Sequence, residues 1–290
     1  MFFKLLLPLC PRSGIVSALS GATLPTFAIS PGTQKTESEH RRDICIAGQW
    51  MRERGFVPST DGNISVRLDT HRILTTPTCV NKGLMEPDDL IVTGLDGKKL
   101  AGKGAPSSEL GMHLLIYRCR PDIHAVCHAH PPVASGFAAA GVSLNKAILC
   151  EAVFSLGAIP VAPYAMPGTP ALSASLEPFV HGHDAILMGN HGVVSYGPDL
   201  FTAFCRIESV EHFARVTLVT EMLGKQNLLS SSDVADLLAL RARAGIGPPA
   251  SAHREPPVTS DANETERITL TRQELDALID EALRNDRSRR

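Results

Sequence analysis

From about residue 37 onward, stretches with helical spacing of apolar residues alternate with stretches that alternate apolar and polar. Thr36-Glu-Ser-Glu39 supplies an acidic start, and Ile44, Ala47 and Trp50-Met51 recur at helical spacing, so a helix is predicted that ends at Gly55. A polar turn, Thr60-Asp-Gly-Asn63, then enters an alternating strand over 64–68. Strands over 72–76 and 90–93 follow, the last closed by the hairpin-type turn Leu95-Asp-Gly-Lys98. Between them, Lys82-Gly83 and Pro87-Asp88-Asp89 frame a short helix or turn. Ala101-Gly-Lys-Gly104 reads as flexible, and Ser107-Ser108 caps a helix over 109–120.

The second half repeats the alternation. A strand over 125–130 is followed by a helix from Pro131 to Phe137, and further apolar runs cover 148–156 and 159–162. Pro163-Tyr-Ala-Met-Pro-Gly168 is a rigid loop. A helix over 169–180 tolerates Pro170 and Pro178 near its ends. The stretch 185–194 carries His191 at its turn. From Pro198 a long helix runs to about Leu223, with Phe201, Phe204, Ile207, Phe213, Val216 and Val219 on or near one face. Glu208 and His212 sit one turn apart there and read as a solvated or hydrogen-bonded face rather than a ligand pair.

At 290 residues, with 43% hydrophobic and 20% charged, the composition is that of a globular protein able to bury a substantial core. The formal charge is -2, from 28 Lys+Arg against 30 Asp+Glu, with no basic stripe, which argues against nucleic acid as a partner. Cysteines at 10, 45, 79, 119, 127, 150 and 205 form no Cys-x-x-Cys pair. Neither a disulfide framework nor a thiolate zinc site is expected, and most read as small buried thiols. Residues 1–36 are rich in Pro, Gly, Ser and Thr and read as an N-terminal extension, signal-like or disordered. Met1 to Cys10 has one lysine and a short apolar core, but Pro8 and Pro11 interrupt it and no span-length segment follows. A cytoplasmic protein without a membrane span is the expectation. Residues 37–245 hold the folded domain, and 246–290 form a polar tail ending in a short helical pattern, a mobile appendage or a partner-binding helix.

Candidate chemistry centres on 106–130. In an extended strand His128 and His130 project from one face and can reach one divalent ion. A tight metal site takes three or four ligands, and Gly189-Asn190-His191-Gly192 offers the third. Glu109, just before a helix, is the carboxylate that closes the set, as fourth ligand or proton carrier. His181-Gly-His183-Asp184 repeats the spacing in a polar, Gly-containing approach to a strand and reads as a solvated pair. Thr60-Asp-Gly-Asn63 is either an ordinary turn or a loop exposing amides to an anion, and Ser107-Ser108 is either a plain cap or part of a phosphate or carboxylate site.

Gly62-Asn63-Ile64-Ser65, Thr76-Pro77-Thr78, Pro106-Ser-Ser-Glu109, His128-Ala-His130, Pro163-Tyr164, Gly168-Thr169 and Asn190-His-Gly192, in this order across about 38–225, resemble the class II aldolase/adducin family. The resemblance implies a three-layer α/β/α fold with a central, mainly antiparallel sheet, one divalent metal per chain, usually zinc (Zn2+), and a homotetramer with sites near subunit interfaces. His128, His130 and His191 would bind the metal. Glu109 would be ligand and acid/base, and Gly62, Asn63, Thr78, Ser107 and Ser108 would hold a substrate phosphate. The implied activity is cleavage of a carbon-carbon bond in a small hydroxylated carbonyl compound, a sugar or sugar phosphate, through a metal-stabilised enediolate. Epimerase, decarboxylase or dehydratase chemistry on the same site is the alternative, and a non-catalytic adducin-like scaffold a further one.

Two positions depart from the pattern. Cys79 follows Thr78 where the aldolases have glycine, and its side chain would crowd the approach of an anion. Leu149-Cys150-Glu151 stands where the fuculose aldolase branch has a catalytic tyrosine, so Glu151 is either a replacement catalytic acid or a structural residue.

Overall fold

The structure is a computed structural model that describes residues 35–246 and 258–259. Most of the N-terminal extension, and of the polar tail with its expected helix, lies outside the described residues. Thr36 opens α1 (Glu37–Glu53) with a reciprocal cap: its hydroxyl accepts from the Glu39 N–H at 3.3 Å, and Glu39 accepts from the Thr36 N–H at 2.7 Å. The chain leaves the helix through Gly55, whose φ of 71° is open to glycine at little cost.

The remaining elements follow as β1 (Asn63–Arg67), β2 (Arg72–Thr75), β3 (Ile91–Gly94), β4 (Lys99–Ala101), α2 (Leu110–Cys119), β5 (Ala125–Ala129), α3 (Pro132–Ala140), α4 (Cys150–Ser155), β6 (Val161–Ala162), α5 (Pro170–Val180), β7 (Ala185–Met188), β8 (Gly192–Gly197), α6 (Leu200–Met222) and α7 (Ser231–Arg243). One eight-stranded sheet has the order β4-β3-β2-β1-β5-β8-β7-β6. All its pairs are antiparallel except β6 with β7, as the resemblance implies. Period-two alternation gives the sheet two apolar faces. Ile64, Val66 and Cys127 pack with Ile44 and Met51 of α1, Phe137 of α3 and Phe204 and Ile207 of α6. Val126, Ile186 and Val194 pack with Met112 and Ile116 of α2 and Leu172 and Leu176 of α5. Covering both faces makes the three layers and leaves the strand ends as the place for chemistry. None of the described helices is long and apolar enough to cross a membrane.

Four expectations need correction. The helix expected from residue 109 starts at Leu110, and Glu109 is its N-cap without a side-chain capping bond, because its carboxylate turns elsewhere. The stretch beginning at Ala101, read as flexible, starts inside β4, an edge strand whose three residues are all exposed. No element is expected between Leu223 and Gly245, yet α7 forms there: Ser230 accepts from the Asp233 N–H at 3.2 Å, and Val234 is buried against Ala147 and Val153. Last, the supposedly solvated His181-x-His183-Asp184 approach is largely buried. His183 and Asp184 are inside, and Asp184 meets Arg120, Arg206 and Arg241 at 3.0 to 3.1 Å. Arg241 comes from the unexpected α7, which is why the local pattern missed this cluster. Of the described cysteines Cys127 is buried, while Cys79 and Cys150 are exposed, and none of them forms a disulfide.

Candidate functional site

Two sheet features converge on one end of the molecule. β5 carries His128 on its α2-facing side and delivers His130 just past its end, where the His130 N–H donates to the Phe56 carbonyl at 2.8 Å. The β7–β8 connection turns through Asn190, with φ of 53°, and sets His191 opposite them. Gly192 is required at the close approach, since a Cβ there would stand 2.6 Å from His130 Cδ2 and 2.7 Å from the Ala129 carbonyl oxygen.

The imidazoles form a compact triad with centroids 4.8 to 5.1 Å apart and rings steeply tilted rather than stacked. One coordinating atom of each lies within 4.8 Å of the others. The Val193 carbonyl, which can only accept, lies 2.9 Å from His128 Nδ1, so that nitrogen carries the proton and Nε2 presents its lone pair. Asp61 Oδ2, 3.3 Å from His130 Nδ1, favours the same tautomer in His130. The two Nε2 atoms then face each other at 3.0 Å with lone pairs converging, an arrangement that a shared cation relieves. Glu109 Oε2 is 3.3 Å from His128 Nε2, and Oε1 is 3.3 Å from His191 Nε2. Ligands about 2.0–2.1 Å from a tetrahedral ion lie roughly 3.3 Å from one another, so the donor set fits a small divalent metal in type and spacing. Glu109 Oε1 is buried without a hydrogen-bond partner among the described residues, which also suits a missing cation.

Burial dominates the site's electrostatics. It drives the pKa of His128 well below the ordinary histidine value, that of His191 down to about 4, and lowers that of His130, with the neighbouring rings adding to the effect on His128 and His191. The imidazoles are therefore neutral, the form that binds metal. Burial raises the Glu109 carboxyl, opposed by the hydrogen bond from Asn63.

Beside the triad opens a cleft of about 260 Å³ lined by Gly62, Asn63, Thr78, Cys79, Lys82, Ser107, Ser108, Glu109, His130 and His191, among others. The five residues expected to hold a phosphate are thus brought together next to the histidines and Glu109. Gly62, with φ of 71°, passes so close to β5 that a Cβ would meet the His128 carbonyl at 2.8 Å. Cys79 occupies the left-handed region at φ of 57°, a conformation that favours glycine, and is exposed at the cleft. Glu151 is not brought to this place within one chain. It stands at the start of α4 in a separate groove with Glu208 and His212, and Glu208 there pairs with Arg54.

Four residues of the site escaped sequence reasoning. Asp61 orients His130 from inside the turn read only as polar. Lys82 is buried at the cleft with its ammonium donating to the Thr60 carbonyl at 2.8 Å and to that of Val80. His113 and Ser65 lie behind Asn63. The spacing Glu109, His113, Tyr117 at every fourth residue, facing Asn63 and Ser65 at every second, was the available signal for the last two.

The sequence family described as Class II Aldolase and Adducin N-terminal domain matches residues 42–218. A 5-deoxy-D-ribulose 1-phosphate aldolase of Bacillus thuringiensis is 30% identical over 200 residues, which cover 69% of this chain and 93% of that protein. A 3-oxo-tetronate 4-phosphate decarboxylase of Haemophilus influenzae is 33% identical over 194 residues, covering 66% and 91%. Among solved structures, an L-fuculose 1-phosphate aldolase superposes with a TM-score of 0.67 at 27% identity, covering 72% of this chain and 99% of that one.

Proposed function

Because the chain belongs to the class II aldolase and adducin family, we propose that it is a metal-dependent carbon-carbon lyase acting on a small hydroxylated carbonyl compound that carries a phosphate. The observation that carries this reading is the placement of Glu109 against two of three converging imidazoles, beside a hydroxyl-lined cleft. His128, His130 and His191 would hold the metal, with zinc the expected ion and Glu109 as a further ligand or proton carrier. A divalent ion so held polarises the oxygens of a hydroxy-carbonyl ligand and stabilises negative charge that develops when the neighbouring carbon-carbon bond breaks.

The chain's own residues do the rest. Hydroxyls of Thr78, Ser107 and Ser108 would hold an anionic group at the cleft, with the Lys82 ammonium adding charge. Glu109, buried and bonded to Asn63, would move a proton to or from a substrate hydroxyl. Both relatives above and the solved aldolase carry a phosphate ester in the names of their substrates, which supports a phosphorylated ligand. Decarboxylation is the second reading, favoured by the Haemophilus influenzae relative, and epimerisation or dehydration would draw on the same site. A scaffold without catalysis has no use for a buried cluster of three imidazoles and a carboxylate. A homotetramer in the cytoplasm completes the proposal, and only a neighbouring subunit could bring a Glu151 to this cleft.

The test is to express the full chain without chelator, measure metal by elemental analysis, and assay ketose 1-phosphates for release of aldehyde and triose phosphate and 3-oxo-acid phosphates for release of carbon dioxide. One metal per chain with aldehyde release supports the lyase, and carbon dioxide release alone supports the second reading. Metal-free protein with no turnover of either class overturns both.

A further inference from the structure

Behind Glu109 a single file of buried side chains runs across the interface between β1 and α2. Tyr117 Oη lies 2.9 Å from Ser65 Oγ, and Ser65 Oγ lies 2.6 Å from His113 Nδ1. His113 Nε2 lies 2.5 Å from Asn63 Oδ1, and Asn63 Nδ2 lies 2.7 Å from Glu109 Oε2. Residues 63 and 65 share one face of the strand, and 109, 113 and 117 share one stripe at the start and along the helix, so two regular periods assemble the file.

An amide can present either end to a carboxylate, and the partner on its other side decides which. Were the file reversed, Asn63 would turn its oxygen to an ionised Glu109, two acceptors in contact at 2.7 Å, and, whether Glu109 is ionised or protonated, the Tyr117 hydroxyl would lose the acceptor it has in Ser65. Run outward from Tyr117, every member is satisfied. Tyr117 donates to Ser65, Ser65 donates to His113 Nδ1, His113 Nε2–H donates to the Asn63 oxygen, and the amide N–H is delivered to Glu109.

We infer that His113 is a positioning residue for Glu109: held as the Nε2–H tautomer by Ser65, it fixes the Asn63 amide so that its N–H, not its oxygen, faces the Glu109 carboxylate. Asn63 thereby serves as an orienting group in addition to lining the cleft. An ionised, oriented carboxylate next to the imidazoles binds a cation better than one free to rotate or protonate. Groups behind metal ligands typically contribute about 10- to 100-fold to metal affinity. This step rests on the metal-site reading of the proposed function, but the tautomer does not.

Two measurements separate the possibilities. Long-range 15N–1H NMR of the metal-free full chain reports the His113 tautomer, which is expected to be Nε2–H from pH 6 to 8; the Nδ1–H form overturns the inference whether or not metal binds. Cobalt(II) affinity, measured by chelator competition, is expected to fall about 10- to 100-fold in His113→Leu. His113→Gln, whose amide N–H can replace Nε2–H, should return to within about threefold of the wild type, a recovery that a merely structural role would not produce. In a Glu109→Gln background His113→Leu should have little further effect, since its influence passes through that carboxylate. Unchanged cobalt affinity in His113→Leu, or an equal loss in the Glu109→Gln background, overturns the positioning role. Wild-type protein that takes up no cobalt instead overturns the proposed function and leaves the tautomer to decide the orientation of Asn63.

Discussion

Oε1 of Glu109 lies 3.3 Å from Nε2 of His191 while its other oxygen keeps the same distance from His128, so one carboxylate spans two imidazoles. Removing an imidazole and removing the carboxylate's charge should therefore differ. His128 is fully buried with its Nδ1 tied to the Val193 carbonyl, so its imidazole is fixed where it converges with the other two. His128→Ala is expected to lose the metal in elemental analysis. Glu109→Gln should retain most of it at ordinary loading yet reduce turnover by about 10²- to 10⁴-fold, the range for loss of a general acid or base. Equal metal content in His128→Ala and wild type would remove the histidines from the site.

Cys79 at φ of 57° holds a strained backbone at the rim of the cleft, with its sulfur 3.7 Å from the Thr78 hydroxyl. Left-handed geometry costs a non-glycine residue roughly 1 kcal/mol or more, which glycine recovers in part against its greater unfolded-state freedom. Cys79→Gly should bind phosphorylated ligands more tightly than the wild type, with no loss of thermal stability. Calorimetric titration with inorganic phosphate and with a ketose 1-phosphate checks this, and equal affinities would show that the thiol does not obstruct the anion.

What was legible in the sequence was what local periodicity and short motifs carry. Period two put His128 and His130 on one side, and apolar runs flanking Gly189-Asn-His-Gly placed His191 in a turn between strands. The three-layer fold followed from the resemblance alone. Residues whose roles depend on distant partners stayed hidden. Asp61 looked like turn chemistry because its histidine lies 69 positions on. The approach carrying His181 and His183 looked solvated because Arg120, Arg206 and Arg241 reach the adjoining Asp184 only once distant segments have packed. The motif points to Glu109 as the carboxylate of the site, but local pattern extends the helix one residue too far: Glu109 is its N-cap, with no side-chain capping bond, so the carboxylate is free to turn to the imidazoles.

His113 gives the metal-free protein an acid-sensitive step. Burial alone lowers its pKa to about 3 from an ordinary value near 6.5. The unfolded chain takes up this proton as pH falls through about 6.5, while the folded chain does not until about pH 3. The associated stability is thus complete above about pH 6.5 and is lost across that window as pH falls. At up to about 1.4 kcal/mol per pH unit, this group alone costs about 2 kcal/mol between pH 7 and pH 5. His128, His130 and His191 act in the same direction, so the comparison must be with His113→Gln, whose side chain does not titrate. Urea unfolding of both chelator-treated proteins at pH 7 and pH 5 should show the smaller decline in the variant. Parallel declines would mean that His113 is protonated in the fold.

The cluster around Asp184 should respond unequally to the loss of its members. Asp184 is fully buried and meets the guanidinium groups of Arg120 and Arg206 as well as that of Arg241. Replacing Arg241 by Met removes one of three cations and leaves the carboxylate paired with the other two, while the apolar stem still fills space between α7 and the sheet. Replacing Asp184 by Asn keeps the volume but leaves three guanidinium groups close together with less negative charge among them, although Asp122 still pairs with Arg120. Breaking a buried pair so that charge is left uncompensated costs about 3–5 kcal/mol, so Asp184→Asn should fall in or above that range. Arg241→Met should cost less, and its loss should appear first as protease sensitivity of α7, whose other anchorage is the small cluster around Val234. Chemical denaturation of both variants, with limited proteolysis followed by mass mapping, tests the order. A larger loss in Arg241→Met would show that α7 holds the fold through this arginine more strongly than the carboxylate holds its three partners.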